Sequence, residues 1–319
     1  MRTHPHSILR HHGPNIKNYI LATRPVFLVA SLLPVLFGTV VGYQVAAEQG
    51  GHFDLLAFVM AFLAVMLINL GINVLNDVYD DINGTDRINR HAIIPFTGGS
   101  RTIQKHILSR EQMQYWSYLL LMGSVIVGLF LVFYKGYVVL LFGLLGLFLG
   151  VGYSMPPIKL ASRGLGESAI LLGVGMLPTI GAAWLQSGYF SFSALFLSIP
   201  IGLWVANIIL VNEVPDSEAD KASGKITLAV RFGDQATAGL FMLANLLAAA
   251  IVFISAIFGL LPFSAIIVPL IMLIPAVLTT KKIRLWEEDR EGFVSGIKFN
   301  IATYMVNIVW IIGCIIASS

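Results

Sequence analysis

The chain is poor in charge and nearly without cysteine. Only 12% of its 319 residues are Asp, Glu, Lys or Arg, and it holds one cysteine. A soluble domain carries about twice that charged fraction, so a water-exposed globular enzyme is excluded. A lone Cys314 rules out an intramolecular disulfide and any cysteine-based metal site; it is expected to pack as a small apolar residue. Polar blocks long enough for a separate catalytic domain are missing. The small net charge of +3 offers no case for a nucleic-acid partner, and no obligatory protein partner is evident.

What remains is hydrophobic: 57% of residues by composition, with a mean hydropathy of +0.82. The apolar runs reach the roughly 20 residues that a spanning helix needs. They predict nine transmembrane helices, at 19–43, 54–79, 114–134, 136–153, 166–186, 192–212, 237–259, 261–279 and 298–317. Residues 1–18 read as a polar N-terminal leader with no cleavable signal peptide, and 19–319 as a single membrane domain. The leader's His4, His6, His11 and His12 lack fixed geometry and are not read as a metal site.

Nineteen of the twenty Lys and Arg lie in segments that nine spans put on one face; Lys135 is the exception. Cytoplasmic loops carry the positive excess, so the N-terminus and the loops after spans 2, 4, 6 and 8 are expected in the cytoplasm. The expected location is the cytoplasmic membrane of a bacterium or archaeon. All acids but Glu48 and Asp54 share that face. Acids do not set orientation, so their clustering needs a separate cause.

Two clusters stand at the ends of apolar helices. The first reads Asn73-x-x-Asn76-Asp77-x-x-Asp80-Asp81, then Gly84 and Asp86; the second reads Asn212-Glu213-x-x-Asp216-x-x-x-Asp220, then Gly224-Lys225. Carboxylates beside a membrane core are costly and are read as functional. Residues three, four and seven apart share a helix face, so Asn73, Asn76, Asp77 and Asp80 form one stripe of oxygen donors, and Asn212, Asp216 and Asp220 are expected to form another on span 6. Hard oxygen ligands suit Mg²⁺, which is commonly shared with substrate phosphates. The plainer alternative is capping and pairing with Arg87, Arg90 and Lys221. The offset of 139 between the two Asn-x3-Asp pairs predicts two four-helix units in parallel orientation, with a ninth helix, around a central cavity.

A diphosphate also needs cationic donors. Candidates are Lys159, Arg163, Lys225, Arg231, and Arg101 in the Thr97-Gly98-Gly99-Ser100-Arg101 turn; Arg offers a planar fork and Lys a point charge. Each is equally explained by the positive-inside bias. Tyr153, just before Pro156-Pro157, either donates to a leaving group or anchors at the membrane surface.

At these residues the chain resembles the UbiA superfamily of intramembrane prenyltransferases, over nearly its whole length: an Arg24-Pro25 start, nine spans and both Asp-rich motifs in order. Asn76-Asp77-x-x-Asp80-x-x-x-Gly84-x-Asp86 is most similar to the 1,4-dihydroxy-2-naphthoate branch of menaquinone biosynthesis. So are Arg163-Gly164-Leu165-Gly166-Glu167 and the run from Asp216 to Gly233. Glu213 and Pro215 depart from that branch, where Asn and Arg are expected. The resemblance implies Mg²⁺ at Asn73, Asp77 and Asp80, and a second at Asp216 and Asp220 assisted by Asn212. It also implies diphosphate held by Lys159, Lys225 and Arg231, and a supporting or deprotonating role for Asp86.

The expected function is therefore transfer of a polyprenyl group from polyprenyl diphosphate to an aromatic quinone precursor, 1,4-dihydroxy-2-naphthoate first. Other acceptors of the superfamily (4-hydroxybenzoate, homogentisate, a carotenoid, a chlorophyllide or a glycerol lipid) are the rivals within the class. A cation-coupled transporter using the same acids is the rival from another.

Overall fold

A computed structural model describes residues 15–318, and among them every regular element is helical. The His-bearing part of the leader lies outside the described residues. Asn15 caps a short helix α1 (Ile16–Ala22), accepting from the Lys17 amide. Arg24 then turns left-handed at φ 51° and Pro25 opens a tight turn, so the chain restarts as α2 (Leu28–Glu48). The first span accordingly runs Pro25–Glu48 rather than from residue 19, because a proline removes a helix donor and restricts the residue before it.

Asp54 caps α3 (Leu55–Asn83), which ends at Gly84 with φ 84°. The first acidic stripe is therefore helical throughout. A single turn, α4 (Thr85–Ile88), opens the loop to α5 (Arg110–Lys135), which starts at a Ser109/Gln112 capping box. After α6 (Val138–Ser154), α7 (Gly166–Ile170) passes through a wide turn at Leu171–Met176 into α8 (Leu177–Ser187). Helix α9 (Phe192–Asn212) stops inside the second motif, and α10 (Ser217–Ala222) restarts after Asp216. The expected continuous stripe from Asn212 to Asp220 is thus broken; Pro215 cannot continue the ladder. The remaining helices are α11 (Leu228–Ile257), kinked at Gly233, α12 (Ile267–Ile271), α13 (Leu273–Arg284) and α14 (Arg290–Ala317).

Among the described residues, eight helical stretches are long and apolar enough to cross a membrane, and α6 is an apolar helix of 17 residues. The chain is an integral membrane protein. Lipid tails supply no hydrophobic drive between helices, so close packing and buried polar bonds must hold them. Both are present. On α2, a Cβ added to Gly38 or Gly42 would stand 2.0 Å from the Thr179 carbonyl oxygen or 2.2 Å from that of Ala183 on α8. Ser117 donates to Gly71 O at 2.8 Å, joining α5 to α3; Asn300 donates to Asn207 O at 2.9 Å, joining α14 to α9; and Tyr304 donates to Ala30 O at 2.8 Å, joining α14 to α2. Each such bond contributes about 0.6–2 kcal/mol.

Between α2, α3, α5, α6 and α8 lies an apolar cavity of about 300 Å³. It follows α6 from Val139 to Tyr153, about 20 Å at the rise of an α-helix. Asn69, Asn73 and Tyr153 stand at one end of it, next to the acidic clusters.

Candidate active site

The last turns of α3 carry the first cluster. Asp77 is buried; its Oδ2 accepts from the Ser100 amide at 2.9 Å and its Oδ1 faces Arg24 at 3.4 Å. Arg24 also donates to Asn76 Oδ1 at 3.2 Å, while Asn76 Nδ2 reaches Asp80 Oδ2 at 3.2 Å and Ser154 Oγ at 3.0 Å. Asp81 points elsewhere: Arg87, Gln104 and Arg110 all donate to it. It staples the loop to α3 and takes no part in the site.

The second cluster comes from the α9–α10 junction. Asp216 Oδ1 accepts from Asn89 at 2.7 Å and its Oδ2 from the Gly98 amide at 2.9 Å. Asp220 is buried with neither oxygen hydrogen-bonded, and Asn212 Oδ1 is likewise buried without a donor. Lys225 Nζ stands 3.4 Å from Asp80 Oδ2 and 3.4 Å from Asp220 Oδ1. One ammonium group therefore bridges a carboxylate of each cluster, so the two clusters face one another.

Oxygens left without a donor decide what the site fits. Asp86 Oδ2, Asn212 Oδ1 and Asp220 Oδ2 are buried and lack hydrogen-bond partners, and Asp77 Oδ1 and Asp220 Oδ1 have only a cation 3.4 Å away, a costly condition unless a ligand completes them. All are hard oxygen donors of the kind Mg²⁺ prefers. Among the described residues no three His, Cys, Asp or Glu side chains converge closely enough to enclose an ion unaided. Mg²⁺ itself keeps waters and takes one or two carboxylates plus substrate phosphate.

Burial and mutual repulsion set the acidities. Burial and then the charges of Asp80 and Asp77 push the Asp86 carboxyl up to about 9. Burial raises Asp220 to about 7 against the pull of Lys225, and raises Asp216 as well. Burial and the neighbouring Glu167 hold Glu213 well above the usual carboxylate range. Burial works against the Lys225 ammonium, but Asp80 and Asp220 outweigh it and hold its pKa well above normal.

Not every expected residue converges here. Asn73 lines the cavity but turns its amide to Thr23 O at 3.1 Å and Asn69. Arg101 spends its guanidinium on the Asp86 and Asn89 carbonyls. Lys159 reaches Asn83 Oδ1 at 3.1 Å. Arg163 donates to Pro157 O, and Arg231 donates to Arg163 O at 3.3 Å, both exposed at the edge. Tyr153 is buried against the cavity. Sequence reasoning overlooked Arg24 as a site residue, although an Arg at the mouth of the first span was a visible signal. It also overlooked Asn89 and the Gly98 and Ser100 amides, which no side-chain pattern reveals.

The fold and site define a class: an intramembrane helical protein whose two facing acidic clusters cap an apolar cavity. A model of the UbiA prenyltransferase family matches residues 32–301, and the chain belongs to that family. It is 30% identical over 238 residues to UbiA prenyltransferase domain-containing protein 1 of Xenopus tropicalis, covering 72% of this chain and 63% of that protein. It is 28% identical over 214 residues to the 1,4-dihydroxy-2-naphthoate octaprenyltransferase of Bacillus subtilis, covering 66% of this chain and 64% of that one. The matched segments thus span just under two thirds of these relatives. In fold it is similar to a UbiA homologue from Archaeoglobus fulgidus solved with GPP and Mg²⁺, with a TM-score of 0.63 at 16% identity over 90% of this chain and 99% of that one.

Proposed function

We propose that the protein transfers a polyprenyl group from its diphosphate to an aromatic quinone precursor, with Mg²⁺ at the paired clusters. The observation that carries this is the bridge by Lys225 between Asp80 and Asp220, surrounded by donor-less buried oxygens at the polar end of an apolar cavity. Such a site joins a place for cations and diphosphate to a place for a hydrocarbon tail. Mg²⁺ at these residues would neutralise charge on the departing diphosphate. Asp77, Asp80, Asp216 and Asp220 would hold the ions, with Asn212 beside them. Lys225 would meet the diphosphate directly, and Lys159, Arg163 and Arg231 would meet it on approach, turned from their present partners. The apolar walls would keep water from the allylic cation, and Tyr153 stands where the tail meets the polar end. Asp86, protonated at neutral pH in the metal-free chain, supports the first cluster.

The acceptor reading is 1,4-dihydroxy-2-naphthoate, giving a demethylmenaquinone. It draws support from the naphthoate prenyltransferases among the relatives. The basic loops support a site on the cytoplasmic face. Purified protein supplied with radiolabelled prenyl diphosphate, Mg²⁺ and each acceptor in turn tests it: naphthoate is expected to be prenylated and 4-hydroxybenzoate and homogentisate not. Replacing the diphosphate by a non-ionisable analogue should stop product formation; a transporter would go on moving its cation.

A further inference from the structure

The Thr97–Arg101 turn touches both clusters, yet no part of it is an acid or a free cation. Gly98 N–H donates to Asp216 Oδ2 and Ser100 N–H donates to Asp77 Oδ2, both at 2.9 Å. Between them, Gly99 has no room for a side chain. A Cβ there would stand 2.8 Å from Asp86 Oδ2 and 3.1 Å from Asp77 Oδ1, and both glycines hold positive φ, 70° and 73°. The loop also has bonds that do not involve Asp77 or Asp216. Thr97 Oγ1 accepts from the Ile93 amide at 2.9 Å, Ser100 Oγ donates to Thr102 at 2.8 Å, and the Arg101 guanidinium binds the Asp86 and Asn89 carbonyls. Its amides on Asp77 and Asp216 are therefore not its only ties, and they fix one oxygen of each carboxylate.

We propose that this glycine turn is a positioning clamp for both halves of the site. One rigid loop sets one oxygen of Asp77 and one of Asp216, and so aims the remaining lone pairs of each motif's leading aspartate at the shared ligand. The inference rests on the metal–diphosphate reading above. A carboxylate has about four lone-pair positions, so an amide on one oxygen leaves capacity for an ion. Groups that orient metal-binding side chains typically change metal affinity by about 10- to 100-fold when lost. Because a single turn serves both clusters, the two ions should weaken together when it is disturbed.

The test uses the full chain in lipid nanodiscs, with Mn²⁺ as the paramagnetic probe and a non-ionisable prenyl bisphosphonate present. Gly99→Ala is compared with Gly259→Ala, which has the same kind of positive φ (70°) but nothing within 4 Å of the added Cβ. Electron paramagnetic resonance should show Gly99→Ala losing affinity for both ions by about tenfold or more, with Gly259→Ala unchanged and similar unfolding temperatures. Wild-type affinity in Gly99→Ala, or loss of one ion alone, would overturn the clamp. Hydrogen exchange on the unmodified protein needs no variant. The peptide spanning residues 93–102 should be protected with and without Mn²⁺, and exchange at Gly98 and Ser100 as fast as in an open loop would equally refute it. If the unmodified chain takes up no Mn²⁺ at all, the functional reading fails instead, and exchange still reports on the clamp.

Discussion

Adjacent aspartates in the first motif have opposite duties. Asp80 contacts Lys225 at the site, whereas Asp81 is held by Arg87 and Arg110 on the other side of the helix. A single step along a helix rotates a side chain by about 100°, which is enough to separate the proposed catalytic carboxylate from a structural one. Asp80→Ala is expected to lower kcat by at least about a hundredfold with an unchanged unfolding midpoint. Asp81→Ala should retain kcat within a few fold and lose about 1–3 kcal/mol of stability, read by thermal unfolding in detergent. Asp77→Ala and Asp216→Ala should each abolish turnover while the protein still elutes as folded; near-normal turnover in either would falsify the two-site mechanism. A pH dependence follows from the raised acidities. In the metal-free chain Asp220 and Asp86 keep protons to about 7 and about 9, while the unfolded chain loses them near 4. The folded state then binds more protons, so its stability falls as pH rises from about 4 through 7 and on to 9. Mg²⁺ binding must displace those protons and should tighten over the same range. Calorimetric titration at pH 6, 7 and 8 checks both the affinity trend and the proton release; flat affinity would contradict it.

Among helices, glycine placement separates contact from open surface. Gly38 and Gly42 let α2 lie against the α8 backbone, whereas a Cβ on Gly313 of α14 would meet nothing within 4 Å. Gly38→Ala should therefore cost about 1–3 kcal/mol through overpacking, and Gly313→Ala should be neutral or gain up to about 1 kcal/mol in helix propensity. Thermal unfolding of both variants in one lipid composition makes the comparison, and equal effects would count against the close α2–α8 packing. The same contact bears on the two-unit arrangement read from the repeated Asn-x3-Asp pairs, since α2 and α8 would belong to different halves. Helix breaks explain where the expected spans were misplaced. Apolar runs do not reveal that Arg24 adopts a left-handed backbone, nor that Gly233 joins five extra residues to α11. They do not show α14 starting at Arg290, because its first turns carry Arg290, Glu291, Ser295 and Lys298 among their apolar residues.

For the molecule entire, the distribution of charge implies one working face. Lys135 pairs with Asp54 at 2.6 Å at the end remote from the clusters, and the basic loops gather with the clusters. Single cysteines placed at Tyr137 and Glu287 in a Cys314→Ala background should label from opposite sides of intact vesicles, Glu287→Cys from the cytoplasm. Labelling of both from one side would contradict the proposed topology.

The helical membrane class, the approximate spans and the stripe on α3 were legible in the amino-acid order. Hydropathy and the 3.6-residue repeat are local properties, and the last turns of α3 obey them. The facing of the two clusters was not, because Asp80 and Lys225 are brought together only by how the turn after α10 meets the end of α3. Nor was the assignment of basic residues. Arg101 and Arg24 look alike in the chain, and a competition among nearby carbonyls and carboxylates turns the first to backbone oxygens and the second to Asp77. The role of the Gly98 and Ser100 amides lay beyond any side-chain pattern, since every residue but proline carries the same N–H and folding alone determines where it points.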